Sequence, residues 1–202
     1  MVSSSIESRK TLEPQNVDFE AEWIEVRKDF EDTFERTLTR TKYNQNFGRI
    51  YKICVATPEP KSKELYEKVA DFLEEKADEI AQRLDAFKGE TLLEEYGEKW
   101  RSYQLATDTI NHMCQYLNKN HIDQRRYDNV EVHMVDNHSV DTYLPIKDLA
   151  YEKWRFKVID NIDDKLVTSC LNLIERMRLG ETIGSEQKDQ VNKAVKSFID
   201  VS

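Results

Sequence analysis

The sequence has 202 residues, of which 39% are hydrophobic and 34% charged, and it contains only 5 Gly and 4 Pro. This composition favours long amphipathic helices and speaks against a sandwich or barrel, which would need many tight turns. The net charge of -9 argues against a nucleic-acid backbone as the main ligand, and the lack of any apolar run near the roughly 20 residues that span a bilayer predicts a soluble, intracellular protein.

The N-terminal third predicts a tail followed by two closely joined helices. Residues 1–16 are polar and aperiodic, which is typical of a flexible tail. A first helix is predicted from Phe19, with Asp18 as its N-cap, and residues 57–60 (TPEP) end a second helix. Spacings of three and four residues predict both helices. Their apolar positions are Phe19, Trp23, Val26, Phe30 and Phe34, then Tyr43, Phe47, Ile50, Tyr51 and Cys54.

The middle of the chain predicts two longer helices. A third helix is expected over residues 61–88, because its apolar positions form one stripe, and Gly89 stands where a C-terminal cap belongs. A fourth helix begins at Thr91 and either continues or breaks near Thr107.

The remaining residues begin with an irregular segment and end in helices. Residues 120–142 lose the helical period, so we expect a loop there with a brief extended stretch near residues 130–134. Helices are predicted again after Pro145, and a turn over residues 179–182 precedes the last one. That last helix ends on an apolar face without a polar cap, from which we expect more chain to follow.

No motif in the sequence predicts catalysis or a cofactor. There is no Gly-rich phosphate loop, no nucleophile elbow and no Cys–His pair in a supporting context. His133 and His138 do not have the spacing of a helical zinc motif, and we interpret them as incidental residues of an exposed loop. We therefore predict no metal, no cofactor and no enzymatic activity.

The cysteines and tryptophans are interpreted as core residues. The 3 Cys are far apart and each lies among apolar helix positions, which predicts buried thiols rather than disulfides. The 3 Trp stand at helical spacing from other apolar residues, so burial is the expected fate of each. These residues are Cys54, Cys114, Cys170, Trp23, Trp100 and Trp154.

The second helix carries an aromatic ladder that suggests a binding surface. Tyr43, Phe47 and Tyr51 recur every fourth residue, with Asn44 and Gly48 beside them. A helix at the edge of a bundle could present this ladder to a partner. Burial in the core and binding to a partner both remain open, because aromatic residues dominate protein interiors and binding hot spots alike.

Ordered blocks of sequence resemble the first cullin repeat and the start of the second. The blocks are 43–54 (YNQNFGRIYKIC), 100–103 (WRSY), 114–118 (CQYLN), 149–155 (LAYEKWR), 173–176 (LIER) and 180–183 (GETI). The resemblance covers residues 17 to about 201 and implies an all-α, elongated helical bundle. It implies a first, adaptor-binding repeat over residues 17–165 and the start of a second over residues 166–202.

Residues 17–19 and 54–60 are most similar to the cullin 2 branch of that family. The resemblance implies a non-catalytic segment of a cullin-RING ubiquitin ligase, in the cytoplasm and nucleus, that binds elongin C (with elongin B) and a substrate receptor with a cullin-binding box. A RING protein would bind only through a C-terminal domain absent from this sequence. Residues 116–118 and 180–182 also resemble cullin 1, which implies a Skp-type adaptor and an F-box protein, and a structural helical-repeat tether is a further alternative.

The resemblance also implies which residues touch the adaptor and receptor. Its contacts come from the exposed face of the second helix and from the helix near residue 116, with residues 16–18 as lesser candidates. The first of these positions is often Trp in elongin-binding relatives and is Tyr here. The implied site residues are Tyr43, Asn44, Phe47, Tyr51, Met113 and Tyr116.

Overall fold

The computed structural model describes residues 16–123, 143–182 and 184–201, and within these ranges it is helical without any strand. The predicted all-α fold class is therefore confirmed. The helices are α1 (Phe19–Phe34), α2 (Arg40–Cys54), α3 (Ser62–Leu84), α4 (Gly89–Met113), α5 (Gln115–Leu117, continued by a π-helical segment Asn118–Ile122), α6 (Ile146–Trp154, continued by a π-helical segment Arg155–Ile159), α7 (Asp160–Arg178) and α8 (Ser185–Asp200). None of these helices combines the length and apolarity needed to cross a bilayer.

Side-chain caps fix the starts of the first two helices. An Asp18 carboxylate oxygen accepts the backbone N–H of Ala21 at 3.1 Å, so the predicted N-cap of α1 is confirmed. The hydroxyl of Thr39 accepts the N–H of Lys42 at 3.3 Å and caps α2 in the same way. Each bond satisfies an N–H that has no partner within its helix.

The junction between α3 and α4 differs from the prediction. The third helix ends at Leu84, and Gly89 opens α4 instead of capping α3. The N–H of Phe87 bonds the carbonyl of Leu84 at 3.0 Å, so the chain already turns away before Gly89. Gly89 has φ +59°, a left-handed conformation that glycine adopts without steric cost, and it stands where the chain reverses into α4.

α4 is unbroken and forms the centre of the bundle. The hydroxyl of Thr107 bonds the carbonyl of Gln104 at 3.1 Å, so this residue is satisfied within the helix and does not break it. α4 packs against α1, α6, α7 and α8. The ring of Trp154 lies 5.0 Å from that of Trp100 and 4.8 Å from that of Tyr103, measured between centroids.

The predicted burial of the tryptophans and cysteines is confirmed. Trp23, Trp100 and Trp154 are all core residues, and the cysteines are buried and unbridged. Burial raises the pKa of the Cys54 thiol to about 11. It also raises the pKa of the Cys114 thiol, which lies deeper in the core.

Some predictions fall outside the described residues or cross an element. The tail up to residue 15 and the loop over residues 124–142, including His133 and His138, lie outside the described residues. Residues 120–122, which we expected in that loop, belong to the π-helical continuation of α5. The predicted boundary after residue 165 lies inside α7, which is continuous, so the division into repeats stays a prediction.

Candidate functional site

α2 lies at the edge of the bundle, where it packs on α1, α5 and neighbouring parts of α3 and α4. Its inner face buries Ile50, Ile53 and Cys54. The flank of the helix beside this face leaves Phe47 38% exposed and Tyr51 42% exposed. Such large apolar rings at an edge helix are available to a second molecule.

Four aromatic residues form the surface that we name the aromatic strip: Tyr43, Phe47 and Tyr51 on α2 with Tyr116 on α5. Tyr43 and Tyr116 are half-buried and pack against the core, whereas the other two are exposed. The rings of Tyr51 and Tyr116 meet edge to face with centroids 4.8 Å apart. The structure thus brings these sequence-predicted residues together on one surface, and exposed Asn44 lies beside them on α2.

Met113 is not on this surface, in contrast to its place among the implied contact residues. It is the last residue of α4 and is fully buried, so its side chain fills space beneath α2 instead of reaching solvent. The side-chain N–H of buried Asn46 points at its sulfur, 3.5 Å away. Met113 therefore supports α2 from below and offers no surface to a partner.

The lesser candidates near residue 17 share a groove with α2. An open groove of about 880 Å³ separates the start of α1 from the outer side of α2. Its lining includes Asn16, Val17 and Asp18 on one side and Asn44 and Gly48 on the other. No Cβ narrows the groove at Gly48, where an added methyl group would meet only open space.

Arg49 holds α2 against α1, a role that its place in the sequence did not predict. Its guanidinium lies 3.2 Å from the Asp29 carboxylate, 3.5 Å from that of Glu22 and 3.8 Å from that of Glu25. Burial raises the pKa of the Asp29 carboxyl, and the positive charge of Arg49 opposes this rise. The acidic spacing on α1 and the lone Arg amid the apolar positions of α2 were the available signals.

A second ion pair joins the start of α2 to the end of α1. The ammonium group of Lys42 donates a hydrogen bond to the Asp32 carboxylate, which lowers the pKa of that carboxyl and raises the pKa of Lys42. Together with Arg49, this contact ties one side of α2 to α1. The aromatic strip on the other side is thereby turned towards α5 and solvent.

The side chains of the aromatic strip are suited to binding another molecule. In the described ranges, no group of three His, Cys, Asp or Glu side chains could hold a metal ion. The exposed groups of the aromatic strip are apolar rings and phenol hydroxyls, which bind by filling pockets and donating hydrogen bonds. The strip is therefore a candidate protein interface.

Comparison with known proteins gives a consistent set of relatives. A family model described as the cullin alpha solenoid domain matches residues 23–202. Cullin-2 of Caenorhabditis elegans is 29% identical over 196 residues, covering 92% of this chain and 24% of that protein. Cullin-6 of the same organism is 27% identical over 158 residues, covering 73% of this chain and 20% of that protein. Cullin-1 of Caenorhabditis elegans is 22% identical over 122 residues, covering 60% of this chain and 14% of that protein. The chain spans less than a quarter of each relative's length.

Proposed function

The chain belongs to the cullin family, and on that basis we propose that it is the N-terminal scaffold segment of a cullin-RING ubiquitin ligase. In this role it binds the adaptor elongin C, together with elongin B, and a substrate receptor with a cullin-binding box. Its own part is non-catalytic and consists of holding the adaptor and receptor in place. A RING protein would be recruited by another part of the whole protein.

The exposure of the aromatic strip is the observation that carries this proposal. Phe47 and Tyr51 project from an edge helix that Arg49 and Lys42 join to α1 through ion pairs, so the strip is accessible on a helix held in place by its neighbours. A prearranged surface binds with less loss of conformational entropy than a mobile one. Exposed aromatic rings at the centre of such a surface are typical hot-spot residues.

The choice of elongin C rests on the resemblance to the cullin 2 branch. The similarity to Cullin-2 extends over 92% of the chain, whereas that to Cullin-1 extends over 60% and at lower identity. A Skp-type adaptor with an F-box protein is the second candidate, favoured by the Cullin-1 similarity itself. A purely structural tether is less well supported, because it gives no reason to expose Phe47 and Tyr51 on one face.

Co-elution on a sizing column tests the proposal. The chain is mixed with elongin B–elongin C bound to a box-containing receptor, and in parallel with a Skp-type adaptor bound to an F-box protein. We expect a stable complex with the first partner and none with the second. The reverse result would assign the chain to the second branch, and no complex with either would contradict adaptor binding.

A further inference from the structure

The two segments that form the aromatic strip are basic, although the chain as a whole is acidic. The sequence has 39 Asp and Glu residues and a net charge of -9. Residues 36–58, which contain α2, include several Arg and Lys but no Asp or Glu. Residues 109–122, which contain α5 and its continuation, also lack acidic residues. Because neither segment contains a carboxylate side chain, each carries a net positive charge where the exposed rings stand, in contrast to the chain as a whole.

Three cations stand at the two ends of the aromatic strip. Arg40 begins α2 and precedes Tyr43 by three residues, so it lies about one turn from the first ring of the strip. Lys52 follows Tyr51 directly in the chain. Lys119 lies three residues after Tyr116, on the π-helical segment that continues α5.

These three cations have no ion-pair partner, unlike their neighbours. Lys42 is paired with Asp32, and Arg49 with carboxylates of α1. In the part of the chain that the structure describes, Arg40, Lys52 and Lys119 are exposed and within 4.0 Å of no carboxylate. Because no carboxylate among the described residues neutralises them, their charge can act on a second molecule.

We propose that the aromatic strip binds an acidic protein surface, in which a pocket for Phe47 and Tyr51 is bordered by Asp and Glu side chains. This inference rests on the proposed adaptor-binding function and adds to it the charge of the partner. The net charge of -9 repels an acidic partner from the chain as a whole, whereas Arg40, Lys52 and Lys119 attract it to the acid-free surface around the aromatic strip. Attraction at one face and repulsion elsewhere orient the encounter and raise its rate.

A nucleic acid is a poorer match to the same surface. Backbone binding gains affinity from many phosphate contacts along a continuous basic stripe. Here the free cations stand apart at the two ends of a row of rings, and the acidic remainder of the chain would repel the phosphates on either side. A compact acidic protein meets the three cations without extending over that remainder.

Stopped-flow association with the elongin B–elongin C complex tests the proposal. Arg40→Glu, Lys52→Glu and Lys119→Glu are compared with Lys196→Glu, a control on α8 whose exposed side chain also has no ion pair among the described residues. At low salt, each of the first three should lower the association rate constant about three- to tenfold. The control should change it by less than about twofold, and about 0.5 M salt should remove the differences. All four variants should have the same melting temperature as the parent chain.

The outcomes separate this proposal from the adaptor function. If the complex forms but its association rate is indifferent to these charges and to salt, the acidic-partner proposal is wrong while adaptor binding stands. If the parent chain binds neither elongin C nor a Skp-type adaptor, the proposed function fails and this inference with it. Tight binding of a labelled single-stranded DNA, weakened by the same three reversals, would replace the protein partner with a nucleic acid.

Discussion

The ring of Tyr51 on α2 stands edge-on to the ring of Tyr116 on α5, with centroids 4.8 Å apart and planes at 80°. This geometry places the positive edge of one ring against the negative face of the other, which is worth about 0.5–1.5 kcal/mol beyond the area buried. Tyr51 remains 42% exposed and Tyr116 half-buried. The pair thus joins two helices and still leaves ring surface for a partner.

A double-mutant cycle tests this ring contact. Tyr51→Ala and Tyr116→Ala should each destabilise the chain, and the double variant should lose about 0.5–1.5 kcal/mol less than the sum of the two. Tyr116→Ala and Tyr43→Ala should also weaken elongin C binding, though less than removal of Phe47. Strict additivity in urea unfolding would show that the two rings do not interact.

Truncation of Met113 should lower the stability of the chain without directly weakening binding. Met113→Ala removes a fully buried side chain beneath α2, and such truncations cost about 2–5 kcal/mol of the free energy of unfolding. Once affinity is measured well below the melting temperature, the variant should bind elongin C within about threefold of the parent. Met177→Ala, which truncates a half-buried Met on α7, is the matched control and should cost less. A large affinity loss without destabilisation would place Met113 at the interface.

Glu74 links two helices and is not an inert surface residue. Its carboxylate accepts bonds from Lys153 at 2.5 Å and Lys157 at 2.8 Å, and these bonds lower its pKa. A lowered pKa gives stability that is present above the unfolded pKa near 4.5 and is lost as pH falls through the folded value. Because the group is partly exposed, Glu74→Ala should cost under about 1 kcal/mol at neutral pH. Binding to elongin C should be unchanged.

Thermal unfolding at several pH values checks this prediction, with Glu94→Ala as the control. Glu94 is exposed and has no ion pair among the described residues. The difference in melting temperature between Glu74→Ala and the parent should disappear as the pH falls below 4 and as salt is added. A gap that persists in acid would mean that the link between α3 and α6 contributes through packing instead of charge.

Periodicity and composition were sufficient for many buried positions but not for contacts between helices. Burial of Trp154 and the start of α1 at Asp18 follow from local patterns. The end of α3 was misplaced because a left-handed glycine can close one helix or open the next, and only the packing decides. Met113 was expected at the interface only because the family resemblance implied it, and a match of sequence blocks does not reveal that its side chain is buried beneath α2.

The apolar stripes of the last two helices show the same limit. The helical period groups Leu171 with the core positions of α7 and Ile199 with those of α8. In the structure these side chains are 58% and 70% exposed. A helix has a wider apolar stripe than one neighbour can cover, so the exposed part of the stripe depends on which helices pack there.

The buried thiols should be slow to react in the native chain. Cys54 and Cys114 are buried, and burial raises the pKa of Cys54 from 9.0 to about 11, so little thiolate exists at pH 8. A thiol probe should label both slowly in native buffer and quickly in denaturant. Because the pKa of Cys54 is raised in the folded state, the stability that its protonated thiol contributes is present below pH 9 and is lost as pH rises towards about 11. Cys54→Ala should flatten this alkaline loss, and rapid native labelling would contradict the placement of both residues.

The affinity of Phe47→Ala for the elongin B–elongin C complex, measured by calorimetry beside its melting temperature, tests the central claim most directly. Phe156→Ala is the matched control, because that ring is 48% exposed on the segment after α6, away from the aromatic strip. Phe47→Ala should raise the dissociation constant about thirty- to a thousandfold, or about 2–4 kcal/mol, and melt with the parent. Phe156→Ala should change neither quantity. Normal binding by a Phe47→Ala variant that melts well below the parent would show that Phe47 serves the core and that the aromatic strip is not the adaptor interface.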